Sequence, residues 1–474
     1  MGTEMGSLST ALSALQSERK ALQVTGQNIA NANTAGYTRQ RANLQAVGGS
    51  VIPAMYSTSD GIGGGVTVTD IQRLQDSFLE QRANTENGTL SGLQGNQQTL
   101  ADIENSFGEP GDTGLQSLLS TYWNGWDDVA NNTNDPGART SLIGDAQSLA
   151  VGLNGAATAL SSQWTSTSQT LATTVGQVND IAKNVASLNK AIISATGAGN
   201  SPNDLMDQRD TLIRQLATMV GVTTKSHEDG STDVLIGGSS LVSGTLSRQL
   251  TVGGATAVDQ VSATPVTLTW SDSGTATPVS TGQLGSMLTT LNTTIRSYRT
   301  QLDGVAATLA NNANTHQVAG FDLNGNAGVA FFGPTDPSTP VTAANISVVI
   351  PDPNTVAASS VAPTTDSSGN PVPNLDGSNA QSMGNLASDP SSAGAAYRTM
   401  IVKLGSHSQA AQQKVNTQQG VVQQVETSRD SASGVDLDEE QTNLVSFQQA
   451  YNAAAQYLMV INSVLDTLIN KTLV

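Results

Sequence analysis

The last forty residues carry the pattern that most restricts this chain. Leu437, Leu444, Tyr451, Leu458 and Leu465 recur every seven positions, and Phe447, Ala454, Ile461 and Leu468 stand three positions after the last four of them. That is a narrow apolar stripe over four heptads, and a helix that carries one needs a long partner helix. The other end of the chain has a looser counterpart. Leu8, Leu15, Leu22 and Ile29 are seven apart and, with Met5 and Leu12, form a seam interrupted at Arg19 and Gly26. A helix that covers a globular core is the ordinary explanation of such a stripe. Here both stripes are narrow, stand at opposite ends and have no third of their kind nearby, which favours a pair made by the two ends. Asp436 or Asp438 suits the N-cap of the second helix, with Glu439 and Glu440 beside the positive end of its dipole.

Between the ends the chain alternates in character. Residues 44–80, with IGGGVTVTDI, read as short strands and turns. Helical spacing follows in Leu90, Leu93, Leu100, Ile103 and Phe107, in Gln116–Ala130, and over about Ala138–Ala195 through Leu142, Leu149, Leu153, Leu160, Leu171, Val178, Val185 and Ile192. Pro202 and Asn203 open another helix, PNDLMDQRDTLIRQLATMV. Leu284, Leu288, Leu291, Ile295, Tyr298, Leu302, Val305 and Leu309 resume the heptad spacing, and a last interior helix covers roughly Gly394–Ser428. The pattern predicts a mainly α fold with β-rich insertions: terminal helices pairing as a coiled coil, a central elongated helical domain and strand-rich outer domains. The expected boundaries are 1–43 and 434–474 for the terminal coiled coil, and 44–220, 281–317 and 394–433 for the helical domain. Strand-rich insertions are expected at 221–280 and 318–393.

Composition narrows the functions. A net charge of −18 argues against a surface that neutralises nucleic-acid phosphates or an anionic membrane. The absence of cysteine removes disulfides, thiolate metal sites and thiol nucleophiles. The segment MGTEMGSLSTALSALQSERK lacks the basic start and continuous apolar core of a signal peptide, so any export is expected without a cleaved leader. No apolar run reaches the ~18 residues that a membrane helix needs.

No reactive constellation appears either. His227, His316 and His407 are scattered, and His316 falls on the stripe from Leu284, where a helix-end packing role explains it. DLNGNAG puts Asp322, Asn324 and Asn326 at alternate positions, but Ala327 and Gly333 stand where a calcium loop needs its glycine and bidentate acid; an Asx-rich turn explains it better. Gly61–Gly65 lacks the lysine of a phosphate loop and reads as a turn. Trp123, Trp126 and Trp164 lie on helical stretches as core anchors. The expectation is no catalytic residue, no metal and no cofactor.

Two end segments carry a resemblance. NIANANTAGYTRQR at 28–41 and SGVDLDEEQTNLVSFQQAYNAAAQYLMVINSVLDTLIN at 433–470 resemble the terminal signatures of bacterial flagellar axial proteins, the rod, hook and hook-associated proteins. PNDLMDQRDTLIRQLATMVGV and NTHQVAGFDLNGNAGVAFF, with GYTRQ at 36–40, resemble the hook-associated members at the hook–filament junction. A hook or rod protein is the nearer alternative, and a secreted enzyme or adhesin borne on the flagellum the remoter one. The resemblance implies a structural subunit, exported unfolded through the flagellar type III apparatus. Its expected partners are a ring of its own copies at the hook tip, the hook protein, the next junction protein and a cytoplasmic chaperone at the C-terminal region. Neither nucleic acid nor membrane is among them. The residues expected to meet neighbouring subunits are Leu8, Leu12, Leu15, Leu22, Asn28, Ile29 and Asn31 near one end. At the other they are Leu437, Leu444, Phe447, Tyr451, Leu458, Ile461 and Leu465. Asn28 and Asn31 are expected to fix register between copies as buried amides do in coiled coils. Asn33 and Gly36 suit the left-handed stop of the first helix, after which Tyr37, Arg39 and Arg41 lead the chain outward.

Overall fold

The computed structural model describes residues 2–48, 63–109, 111, 114–350 and 352–471. The chain is mainly helical, with long helices at both ends, a helical domain between them in the sequence and several small antiparallel sheets. It divides into two compact units, one of residues 1–89, 178–249 and 418–474, the other of residues 90–177 and 250–417.

In the first unit, helix α1 (Gly2–Asn31) packs along α10 (Leu437–Lys471) and against the hairpin of β1 (Gln40–Ala46) and β2 (Val66–Arg73). Asp436 caps α10: its Oδ1 accepts from the Asp438 and Glu439 amides at 2.9 and 3.3 Å, satisfying donors that a helix start leaves free. The buried positions of α1 are Ala11, Ser17, Ala21, Val24, Thr25 and Asn28. Their small side chains let other backbone come close. The Ser17 hydroxyl donates to the Val66 carbonyl at 3.0 Å, and Ser13 Oγ accepts from the Val66 amide at 3.3 Å. Gly65, at φ +103°, starts this strand against the helix, where a Cβ would stand 2.0 Å from Ser13 Oγ.

Helix α2 (Ser77–Phe107) starts in this unit, and α4 (Pro136–Gly197) ends in it. The eight α4 positions from Leu142 to Ile192 on the heptad line are all fully buried, and the helix is longer than its sequence pattern by a turn or less at either end. Helix α5 (Asn203–Val220) is followed by the sheet β3 (Thr223–Ser226), β4 (Thr232–Ile236), β5 (Ser239–Ser243) and β6 (Leu246–Ser247), paired in that order. Val220, Val222, Val234, Ile236, Leu241 and Val242 are its buried side chains. Asn189 of α4 holds the sheet by donating to the Thr232 and Gly244 carbonyls at 2.8 and 2.7 Å.

The second unit holds α3 (Leu115–Asn131), the strand pair β7 (Leu250–Gly253) and β8 (Thr267–Trp270), α6 (Gly282–Thr289), α7 (Ile295–Ala319) and most of α9 (Ala393–Ser433). The two-stranded sheets β9–β10 (Phe332–Pro334, Ile346–Val348) and β11–β12 (Thr364–Thr365, Pro371–Val372) and the short α8 (Ser378–Gly384) complete it. Tyr122, Trp123 and Trp126 of α3 meet Phe331 and Phe332 in an aromatic core with ring centroids 4.7–6.4 Å apart, in edge and tilted contacts. The heptad line through α6 and α7 crosses a π-helical turn at Thr290–Thr294. There the Leu291 carbonyl accepts from buried Trp164 Nε1 at 3.1 Å, and Asn292 pairs with both the amide and the carbonyl of Val266 at 2.8 Å. The extra residue of such a turn leaves the Leu291 carbonyl open to Trp164, while Asn292 uses its side-chain amide.

Candidate functional site

The end of α1 is fastened to the following strand by a polar joint built on Asn28. The helix ends at Asn31, and the turn behind it closes at Gly36, φ +85°, where a Cβ would lie 2.6 Å from Thr211 Oγ1 of α5. Asn28, 1% exposed, donates through Nδ2 to the Gln40 carbonyl at 2.8 Å. Its Oδ1 accepts from the Gln40 amide at 3.0 Å and from the Tyr37 hydroxyl at 2.8 Å. The side-chain amide thus copies a strand's hydrogen-bonding edge and fastens β1 to the helix. Asn28 thus makes these three hydrogen bonds inside its own chain. Asn31 also bonds locally, donating to the Gln27 carbonyl and accepting from Thr34 Oγ1. Asn33 is not left-handed; among the described residues only glycines take positive φ. Burial, then the Asp207, Asp204 and Glu440 carboxylates, push the Tyr37 hydroxyl well above its ordinary pKa, so it stays a donor.

The two ends of the chain meet beside it. The Arg39 amide donates to the Ser433 carbonyl at 3.0 Å. Its guanidinium holds both oxygens of Glu439, at 2.9 and 2.7 Å, and Oε1 of Glu440 at 2.6 Å. The Glu440 side chain is 2% exposed and that of Glu439 is 56% exposed. Hydrogen bonding from Arg39 holds the Glu439 carboxyl below its usual pKa. Beneath the joint, Asp207 of α5 accepts from the Thr38 amide at 3.1 Å and lies 3.3 Å from Arg73 Nε. Arg73 also pairs with Asp210, which in turn holds Arg209. Burial raises the Asp207 pKa, against the opposing pull of Arg73 and Thr38. An open groove of about 1050 Å³ runs between residues 32–39 and 427–439.

The residues expected to meet other subunits are placed unevenly. On α10, Leu444, Phe447, Tyr451, Leu458 and Leu465 are half-buried and Ile461 is buried, one continuous line; Leu437 is 46% exposed at the helix start. On α1, Leu8, Leu15, Leu22 and Ile29 are only half-buried and Leu12 is 49% exposed. The leucines therefore form the rim, and a line of mostly small side chains beside them is the buried one. The side chains of Met5 and Leu468 lie outside the described residues, as do Gly61 and Ile62. The sequence pattern does not reveal Arg39, Arg73, Asp207, Glu439 and Glu440 as a joint. Opposite charge in TRQR and DLDEE is the available signal, separated by about 400 residues.

The remaining motifs resolve locally. Asp322 Oδ1 accepts from the Asn324 and Asn326 amides at 2.8 and 2.7 Å, an Asx turn with Gly325 at φ +77°. Among the described residues no group of three or more His, Asp or Glu is placed to hold a metal ion, and no helix is long and apolar enough to cross a membrane.

A joint between paired terminal helices is what two short family matches cover. A model described as flagella basal body rod protein matches residues 8–38, and one described as the C-terminal part of flagellar basal body rod FlgEFG protein matches residues 427–471. They define the class, an axial protein of the bacterial flagellum. A third model, the helical domain of flagellar hook-associated protein FlgK, matches residues 100–332. Flagellar hook-associated protein 1 of Escherichia coli is 28% identical over 98% of this chain and 99% of its own. The Bacillus subtilis protein of the same name is 28% identical over 99% and 98%. The flagellar hook junction protein FlgK of Burkholderia pseudomallei shares the fold, with a TM-score of 0.62 at 18% identity over 75% of this chain and 100% of that one. The matches agree along nearly the full length of the chain: its relatives are flagellar hook-associated proteins 1, which are structural proteins rather than enzymes.

Proposed function

We propose that this chain joins the flagellar hook to the filament as a ring of its own copies, packed through the rims of α1 and α10. The observation that carries this is the apolar surface left after the two helices have packed. Leu8, Leu15, Leu22 and Ile29 remain half-open, and Leu12, Val445, Tyr457, Met459, Val460 and Val464 are exposed. So much apolar surface on one helix pair marks an interaction site, and closing it contributes on the order of 1.5–3 kcal/mol per fully covered side chain. The same reading gives it the hook protein and the next junction protein as axial neighbours, and places it outside the cell by way of the flagellar export apparatus. A chaperone that covers the apolar face of α10 before export fits the same exposure.

The test uses cells that lack their own copy and carry either this chain or its Leu15→Asp, Leu22→Asp double variant. The unmodified chain should restore filaments, and the double variant should leave bare hooks with flagellin in the medium. Filaments built on the double variant would overturn the packing. Loss of the hook itself in the deletion strain would instead assign the chain to the hook or rod.

A further inference from the structure

The rim stripe of α1 contains one charge. Between Leu15 and Leu22, at the seam position, stands the exposed Arg19. A guanidinium in the middle of an apolar stripe is costly to cover unless an acid meets it. One residue earlier, and turned toward the buried side of the helix, is Glu18. It is half-buried, and its Oε2 is shut off from solvent with no hydrogen-bond partner. Burial raises its pKa, and no cation counters the rise.

The chain's own cations are poorly placed to answer this carboxylate. Helix α10 has no lysine or arginine before its terminal Lys471. In the hairpin, Arg73 is engaged with Asp207 and Asp210. Arg41 pairs in register with Gln72 near the joint. The joint is marked on α1 by Asn28, ten residues and roughly 15 Å of helix away from Glu18. Lys20 is exposed on α1, and the neighbouring Arg19 and Lys20 leave the helix in directions about 100° and 200° away from Glu18.

We propose that Arg19 of one copy pairs with Glu18 of a second copy of this chain, and that this contact sets the register of the terminal helices. The inference rests on the reading that copies pack through the α1–α10 rims. Each copy then offers one acid and one base on adjacent residues, so a head-to-tail contact uses both and repeats around a ring with no charge left over. A single polar pair within an apolar seam selects one register, as buried polar residues do in coiled coils, and the guanidinium fork suits a carboxylate.

The test is a charge exchange in the same deletion strain, scored as the fraction of hooks that carry filaments. Glu18→Arg and Arg19→Glu should each lower that fraction about tenfold or more, since like charges then face each other. The chain with both changes should return to within about twofold of the unmodified protein. Single reversals without effect, or an exchange no better than its singles, would overturn the pairing. If Leu15→Asp, Leu22→Asp blocks filaments while the charge variants do not, only the pairing falls. If that leucine variant also assembles, the packing reading itself fails. Because the chain has no cysteine, a variant that misfolds can be bypassed. Glu18→Cys and Arg19→Cys copies bearing different tags, expressed together, should form a mixed disulfide between copies on assembled hooks. Its absence there would count against the contact.

Discussion

Asn28→Ala isolates the joint. In the native chain the Asn28 amide makes three hydrogen bonds of 2.8–3.0 Å while 1% exposed, two to the backbone of Gln40 and one to the Tyr37 hydroxyl. A net hydrogen bond is worth roughly 1 kcal/mol, and a buried group left without its partner costs as much or more. Gln40 is half-buried, so water recovers part of that loss. The substitution should therefore lower the stability of the first unit by about 2–3 kcal/mol. All four tryptophans, Trp123, Trp126, Trp164 and Trp270, belong to the second unit. Urea unfolding followed by far-ultraviolet circular dichroism should show an early transition that tryptophan emission does not share. Hydrogen exchange should quicken in residues 28–46 and stay slow around Trp126. Asn28→Asp keeps the acceptor for Gln40 N and the Tyr37 hydroxyl but turns an oxygen toward the Gln40 carbonyl. Its loss should be as large at neutral pH and shrink as pH falls and the new carboxyl takes up a proton. A stability change below about 0.5 kcal/mol in Asn28→Ala, the ordinary scatter of a surface substitution, would refute this account of the joint.

Gly36→Ala should cost about 1–2 kcal/mol from left-handed strain alone; the clash with Thr211 Oγ1 adds to it, so adding Thr211→Ala should recover part of the loss in thermal unfolding. Arg39→Gln leaves the carboxylate of Glu440, 2% exposed, without its cation and should destabilise the first unit by about 2 kcal/mol, with little due to the exposed Glu439. The Glu439 pKa is depressed in the folded chain, so its contribution is complete above the ordinary carboxylate value and fades as pH falls through the lowered one; that acid-side slope should flatten in Arg39→Gln, as read from urea midpoints between about pH 3 and 6. Asn292→Ala removes both bonds to Val266 and should cost about 2 kcal/mol; here, unlike at Asn28, tryptophan emission should report the loss, because Trp164 and Trp270 border the π-helical turn and β8.

The long helices are legible because large apolar side chains at steps of three and four leave few alternatives. Leu444, Phe447, Tyr451, Leu458, Ile461 and Leu465 all lie on the covered side of α10. The apolar spacing of α2 begins only at Leu90, yet the helix starts at Ser77, where Asp76 caps it by accepting from the Phe78 and Leu79 amides. Its first turns carry little apolar signal, so the cap is the better cue. The Asx turn at Asp322 is legible since all its partners lie within five residues. The clamp of Arg39 on Glu439 and Glu440 is not, because a pairing across about 400 residues is set by how the ends fold together. Helix α8 and the π-helical turn likewise depend on what packs around them.

On α1 the expected seam is off by one position, and the reason bears on assembly. Hydrophobicity ranks Leu8, Leu12, Leu15, Leu22 and Ile29 above Ala11, Ser17, Ala21, Thr25 and Asn28, yet the second group is the buried one. A helix pressed against both a hairpin and another helix needs small side chains on the inner line, since each added methylene would force the backbones apart. Polar side chains there also answer polar atoms of the hairpin backbone, as Ser13, Ser17 and Asn28 do, which leucine cannot. Large residues are thereby displaced to the rim, where a single chain covers them only in part. Under the proposed function, a stripe that looks like the seam of one pair is the surface the pair offers its neighbours. Replacing Ala21 by leucine should consequently harm the lone chain more than replacing Leu22 by alanine, whereas filament assembly should be more sensitive to Leu22. The opposite ranking in urea unfolding and filament counts would return the seam to the leucines.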